Sequence, residues 1–100
     1  MPAVRPYSYH PLAWEEVEES DAWYLARSVD ASLDFLYRLD SAIEEILDAP
    51  HRWAKHLYGT RRYVMQSFPF SVVYLDDPDL VTIIAVAHSK RKPGYWKGRL

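Results

Sequence analysis

Phe68-Pro69-Phe70-Ser71-Val72-Val73-Tyr74-Leu75, Asp76-Asp77-Pro78-Asp79 and Val81-Thr82-Ile83-Ile84-Ala85-Val86-Ala87-His88 form the stretch from which the fold can be read. Its first and last parts contain strand-length runs, Phe70 to Leu75 and Val81 to Ala87, rich in β-branched and aromatic residues. The acidic, proline-containing middle is turn chemistry. A third strand, Arg61 to Gln66, alternates charged and apolar residues less cleanly and reaches Phe70 through Ser67-Phe68-Pro69. Two short connections between three strands predict an antiparallel meander. The almost continuous apolarity of the last run predicts a place inside the sheet, with helices over one face.

Those helices lie upstream. Tyr7 to His10 is short, aromatic and alternating, which predicts a first strand. Pro11 suits the first turn of a helix, where a missing N–H costs nothing. From there to about Arg27, Trp14, Val17, Tyr24 and Leu25 trace one stripe, interrupted by Asp21. Glu15, Glu16, Glu18 and Glu19 occupy the early turns, where the helix dipole favours negative charge, and read as a solvated face. Ser28 is placed to cap a second helix with Asp30 in its first turn. Val29, Leu33, Leu36, Leu39, Ile43, Ile46 and Leu47 give that helix its apolar stripe, widened by Phe35 and Tyr37. Pro50 ends it. The very short link between the helices predicts an antiparallel hairpin. Residues 51–60 show no period and read as a loop. The expected architecture is α+β in the order β-α-α-β-β-β, a helical hairpin on a mainly antiparallel sheet, as one domain over residues 1–100.

The composition sets bounds on function. Cysteine is absent, so neither a disulfide framework nor thiolate chemistry is available. No apolar run approaches the roughly 20 residues that span a bilayer, and the first residues lack the apolar core of a signal peptide. A cytoplasmic location without membrane contact is expected. The formal net charge of -2 conceals a division: residues 1–50 sum to −8 and residues 51–100 to +6. Either the molecule has an acidic helical layer and a basic layer facing different partners, or each element solvates its own exposed side.

Several pieces in order resemble the RelE/ParE toxin family. Phe68-Pro69-Phe70-Ser71-Val72-Val73-Tyr74 resembles the family's aromatic-Pro-aromatic opening of a strand, and Val81 to His88 its last core strand. Arg91-Lys92-Pro93-Gly94-Tyr95-Trp96 with Arg99 resembles the tail of plasmid-stabilisation members. Trp14-Glu15-Glu16-Val17 and the acidic helix pair agree with the same pattern. The resemblance spans essentially the whole chain and implies a toxin neutralised by a cognate antitoxin, as a homodimer or a toxin–antitoxin hetero-oligomer. ParE-like members act on DNA gyrase, whereas RelE-like members cut mRNA on the ribosome.

Metal-free RNA cleavage needs a base for the 2′-hydroxyl, cations for the phosphate and a donor for the leaving oxygen. His88, Arg91 and Tyr95 are the candidates for catalysis; Arg61, Arg62 and Arg99 are the candidates for phosphate binding. Arg61 and Arg62 are adjacent on a strand, so only one of them can face the open side. Each has a plain alternative. His88 also reads as a hydrogen-bonded strand end, Arg61 and Arg62 as solvated strand residues, and Arg91 and Arg99 as residues that anchor the tail, pair with acidic helix residues or contact an antitoxin. Trp14, Trp23, Trp53 and Trp96 are candidates for partner binding, although Trp96 near the terminus also reads as packing. His51 and His56 lack the companions of a metal site, isolated glycines make no phosphate loop, and no cofactor is expected.

The chain departs from the nuclease pattern, which brings several lysines and arginines to the strands of one concave face. Phe70 to Leu75 and Val81 to Ala87 contain no basic residue. That favours a ParE-like toxin with a protein target over an endonuclease.

Overall fold

A computed structural model describes residues 6–100 of the chain. Strand β1 (Tyr7–Tyr9) leads into helices α1 (Pro11–Leu25) and α2 (Val29–Asp48), followed by β2 (Ala54–Lys55), β3 (Arg61–Val64), β4 (Phe70–Asp76) and β5 (Val81–His88). The five strands form one sheet in the order β1-β5-β4-β3-β2. Only the β1–β5 pair is parallel, with Tyr7 opposite Val81 and Tyr9 opposite Ile83; the meander itself is antiparallel, as expected.

The helix ends follow local chemistry. The His10 imidazole accepts the Leu12 N–H at 3.1 Å, ahead of Pro11. Ser28 Oγ accepts the Ala31 N–H at 2.9 Å, satisfying a donor that the helix leaves open. The Ser32 hydroxyl donates to Asp21, which fixes α1 against α2 and gives the residue that interrupted the stripe a reason to be there.

The buried faces are narrower than the sequence pattern predicts. In α1 the buried residues are Ala13 and Val17, while Trp14 and Leu25 point outward. Small Ala13 lets the helix lie close to the sheet, where the large Trp14 would not fit. In α2 the core takes Phe35, Leu39, Ala42, Ile43 and Ile46, and leaves Val29, Leu33 and Tyr37 exposed. These meet Tyr63, Met65, Phe70, Val72, Tyr74, Val81, Ile83 and Val86 from the sheet. Full burial of each large apolar side chain contributes about 1.5–3 kcal/mol. Tyr24 stacks on Phe35 with centroids 5.2 Å apart, and Phe35 lies 5.4 Å from Phe70, so aromatic contact runs from hairpin to sheet.

One further expectation is corrected and one is extended. Residues 51–60 are not an unstructured loop: Ala54 and Lys55 pair with Arg62 and Arg61, and Leu57–Gly59 form a 3-10 turn. So brief a strand has too few residues to show alternation. Strand β5 is covered on both faces. Past a register shift in its pairing with β4, Ile84 and Ala85 join Val73 and the tail residue Trp96 in a second apolar cluster opposite the helices. The continuous apolarity of β5 therefore reflects two covers, hairpin and tail.

Candidate functional site

The short first strand leaves part of β5 without a neighbour, and side chains fill the gap. Backbone pairing with β1 ends where the His10 N–H donates to the Ile83 carbonyl at 2.8 Å. Beyond it, Arg99 Nη1 donates to the Ile84 carbonyl at 3.0 Å and Glu16 Oε1 accepts the Val86 N–H at 3.1 Å. Glu16 and Arg99 are themselves joined by two hydrogen bonds, Nη1 to Oε1 at 2.8 Å and Nη2 to Oε2 at 3.1 Å. The Tyr95 hydroxyl donates to Glu16 Oε2 as well. One carboxylate from α1 thus gathers the tail and completes the sheet edge. Burial pulls the Arg99 guanidinium down, but the Glu16 carboxylate outweighs it and holds it above its ordinary range. Burial, then the same carboxylate, pushes the Tyr95 phenol well above its ordinary range.

These commitments decide what the remaining candidates can do. Arg61 Nη1 donates to the Trp53 carbonyl at 2.8 Å and its Nε lies 3.9 Å from Asp76; the residue sits across from Tyr74 on the helix side. Arg62 points the other way and is exposed, as strand alternation requires. It shares a small recess of about 100 Å³ with His56, His88, Arg91 and Lys92. Desolvation, and then the nearby Arg62 charge, lowers the pKa of His56. His88 Nδ1 accepts the Lys90 N–H at 3.0 Å, so the neutral ring carries its proton on Nε2 and presents a donor. That suits contact with an anion and does not suit a general base. The Arg91 guanidinium lies 3.8 Å from the centroid of Tyr95, a cation–π contact, and Arg91 lines the same recess. The structure thus brings Arg62, His88 and Arg91 together and takes Arg61, Arg99 and the Tyr95 hydroxyl away for structural use.

The four tryptophans divide similarly. Trp14 is 49% exposed and lies edge-on to Tyr9 at 5.3 Å, and Trp23 is 53% exposed with the Arg27 guanidinium 3.2 Å over its ring. Trp53 is half-buried, donates to the Glu45 carbonyl at 3.3 Å and meets Tyr63 edge-on. Trp96 is buried between the sheet, His56 and Tyr58, so it belongs to packing and not to a partner surface. Trp23 also borders a larger cleft, about 420 Å³ between α1, the end of β5 and the tail, lined by Tyr24, Phe70 and Val86 among others. Glu16 and this cleft escape a reading of the sequence alone. Among four closely spaced glutamates, nothing local marks the one that faces the sheet.

Among the described residues no helix is long and apolar enough to cross a membrane, and no group of three or more His, Asp or Glu side chains could hold a metal ion. Residues 7–93 match the family described as ParE toxin of type II toxin-antitoxin system, parDE. A chain of a chromosomal ParDE TA system from P. aeruginosa shares the fold, with a TM-score of 0.73 and 11% identity, covering 87% of this chain and 98% of that one. No curated protein sequence matches.

Proposed function

The chain belongs to the ParE toxin family of type II toxin–antitoxin systems, and from that premise we propose that it arrests growth through a protein target such as DNA gyrase and is neutralised by a cognate antitoxin. It acts in the cytoplasm, needs no cofactor, and holds its active form without a metal. The observation that carries this reading is the use of Glu16. Its carboxylate occupies Tyr95 and Arg99, two of the groups an RNA-cleaving site would turn toward a phosphate. Arg61 is spent on Trp53 and Asp76. The sheet face opposite the helices carries an apolar cluster, Val73, Ile84, Ala85 and Trp96, beside the recess that Arg62, Arg91 and Lys92 line.

A second reading has its own observation. Arg62, His88 and Arg91 converge on one recess, which suits an anion and supports a RelE-like, ribosome-dependent mRNA endonuclease. Lacking a base at His88 and a free hydroxyl at Tyr95, it is the weaker of the two. Induced expression of the chain alone in bacteria, with message integrity and plasmid supercoiling followed together, separates them. Intact messages with relaxed plasmids are expected. Rapid cleavage of translated messages would replace the gyrase reading with the nuclease.

A further inference from the structure

On the sheet face opposite the helices, the floor drops beside Trp96. Strand alternation puts Ser71 with Val73 and Ala87 with Ala85 on that face, and Ser71 stands directly opposite Ala87. Trp96 packs with Val73 and Ala85, while the small side chains of Ser71 and Ala87 leave the adjoining space open. The result is the recess of about 100 Å³. Arg62 lines it from β3, where it lies across from Val73. Arg91 and Lys92 line it from the tail, which turns back through the Arg91 N–H to His88 carbonyl bond at 3.0 Å and the Tyr95 N–H to Lys92 carbonyl bond at 3.2 Å. The chain has 14 acidic residues against 12 basic ones, yet no Asp or Glu lines this recess. Arg38, Arg61 and Arg99 each have a carboxylate partner, whereas Arg62, Arg91 and Lys92 have none among the described residues. Arg91 is also held in advance, since its guanidinium rests on the ring of Tyr95, whose hydroxyl is anchored on Glu16. Burial, then the Arg62 charge, lowers the pKa of His56, another lining residue. The recess thus resists a further positive charge and favours a negative one.

We propose that this recess binds a phosphate monoester dianion, with the guanidinium groups of Arg62 and Arg91 and the ammonium of Lys92 on its free oxygens. Three cations brought in from a strand and from the tail suit a tetrahedral group better than a flat carboxylate. Two negative charges answer them better than the single charge of a phosphodiester. The space suits one such group and no base beside it. Tyr95, the lining aromatic on which a base would stack, already carries Arg91 at 3.8 Å and Arg99 at 5.2 Å. Recognition therefore goes to the phosphate and not to what it is attached to, a chemistry that inorganic phosphate and the terminal phosphate of a nucleotide share. Binding of this kind needs no general base at His88, and it holds whichever target the toxin engages.

The test is an NMR titration of the full chain, ¹⁵N-labelled and made by cell-free synthesis, with inorganic phosphate, thymidine monophosphate and thymidine. Ionic strength is fixed and the pH mildly alkaline, so that both phosphates are dianions. Saturable shifts of the Arg62, Ser71, Ala87 and Lys92 amides are expected with the two phosphates and none with thymidine. Tighter binding of the monophosphate would support the site with a nucleotide end as its ligand; equal or weaker binding would support it with the free anion. Arg62→Gln and Lys92→Gln are each expected to weaken phosphate at least about tenfold while circular dichroism stays unchanged. Arg52→Gln, which removes an exposed arginine outside the recess, is expected to change affinity less than about twofold. Unsaturated shifts spread over the basic surface, thymidine bound as well as its monophosphate, or full affinity in Arg62→Gln would overturn the proposal.

Discussion

Arg99 and Glu16, 83 residues apart, are joined by two hydrogen bonds of 2.8 and 3.1 Å with both side chains nearly buried. Paired this way, a guanidinium and a carboxylate offset each other's desolvation, and each also satisfies a backbone group of β5. Removing one partner leaves the other charged and short of bonds. Arg99→Ala is therefore expected to cost about 2–4 kcal/mol of stability, read as a shift in the urea midpoint. Arg99→Lys recovers only part of it, because an ammonium cannot reproduce the forked contact. Equal stability in Arg99→Ala would mean that the pair holds nothing together.

The tail reaches that carboxylate through one left-handed residue. Gly94 has φ +79°, and a Cβ there would sit 3.1 Å from Tyr58 Cε2. Gly94→Ala combines backbone strain with a displaced ring and is expected to cost about 1–2 kcal/mol. Gly59 has φ +78° with open space around it, so Gly59→Ala isolates the backbone contribution and is expected to cost less, about 1 kcal/mol. Paired thermal melts of the two variants check the difference, and a smaller loss at Gly94 would contradict the contact with Tyr58.

These contacts show where a linear reading runs out. The meander, the hairpin and the Ser28 cap were legible because each rests on neighbours within a few residues. The tail was legible only in part: Trp96 reads as packing and Arg99 as an anchor, but the residues they meet, Val73, Ile84, Ala85 and Glu16, are remote in the chain. The stripe of α1 misled for a related reason: Trp14 outweighs Ala13 in any hydrophobic pattern, yet only the alanine allows helix and sheet to approach. Arg61 and Arg62 were correctly set on opposite sides by alternation, while their partners, Asp76 and the recess, needed the folded chain.

Alkaline titration should reveal the buried phenols. Burial raises Tyr74, and burial followed by the Glu45 carboxylate raises Tyr63, each to about 12. Unfolded tyrosine ionises near 10. Between those values the unfolded chain releases protons that the native one keeps, so stability is fully present below pH about 10 and falls as pH rises toward 12. Absorbance at 295 nm should show Tyr63 and Tyr74 ionising late, in a cooperative step that coincides with loss of circular dichroism. A single smooth titration of all the phenols near pH 10 would show that the two are not shielded.

The sharpest functional prediction concerns His88. If a protein target is engaged, His88→Ala removes a ring that lies edge-on to Phe70 at 5.1 Å and changes growth arrest by no more than about twofold, since the main-chain groups around it stay in place. If the ring instead donates a proton during RNA cleavage, its loss costs about 10²–10⁴-fold in rate and abolishes toxicity. Colony counts after induction, with denaturation midpoints to confirm folding, distinguish these outcomes. Arg91→Ala serves as the companion, because its guanidinium rests on the Tyr95 ring at the same recess. Retained arrest in both variants is expected. Loss in both, with folding intact, would return the recess to the centre of the mechanism and make the phosphate its ligand.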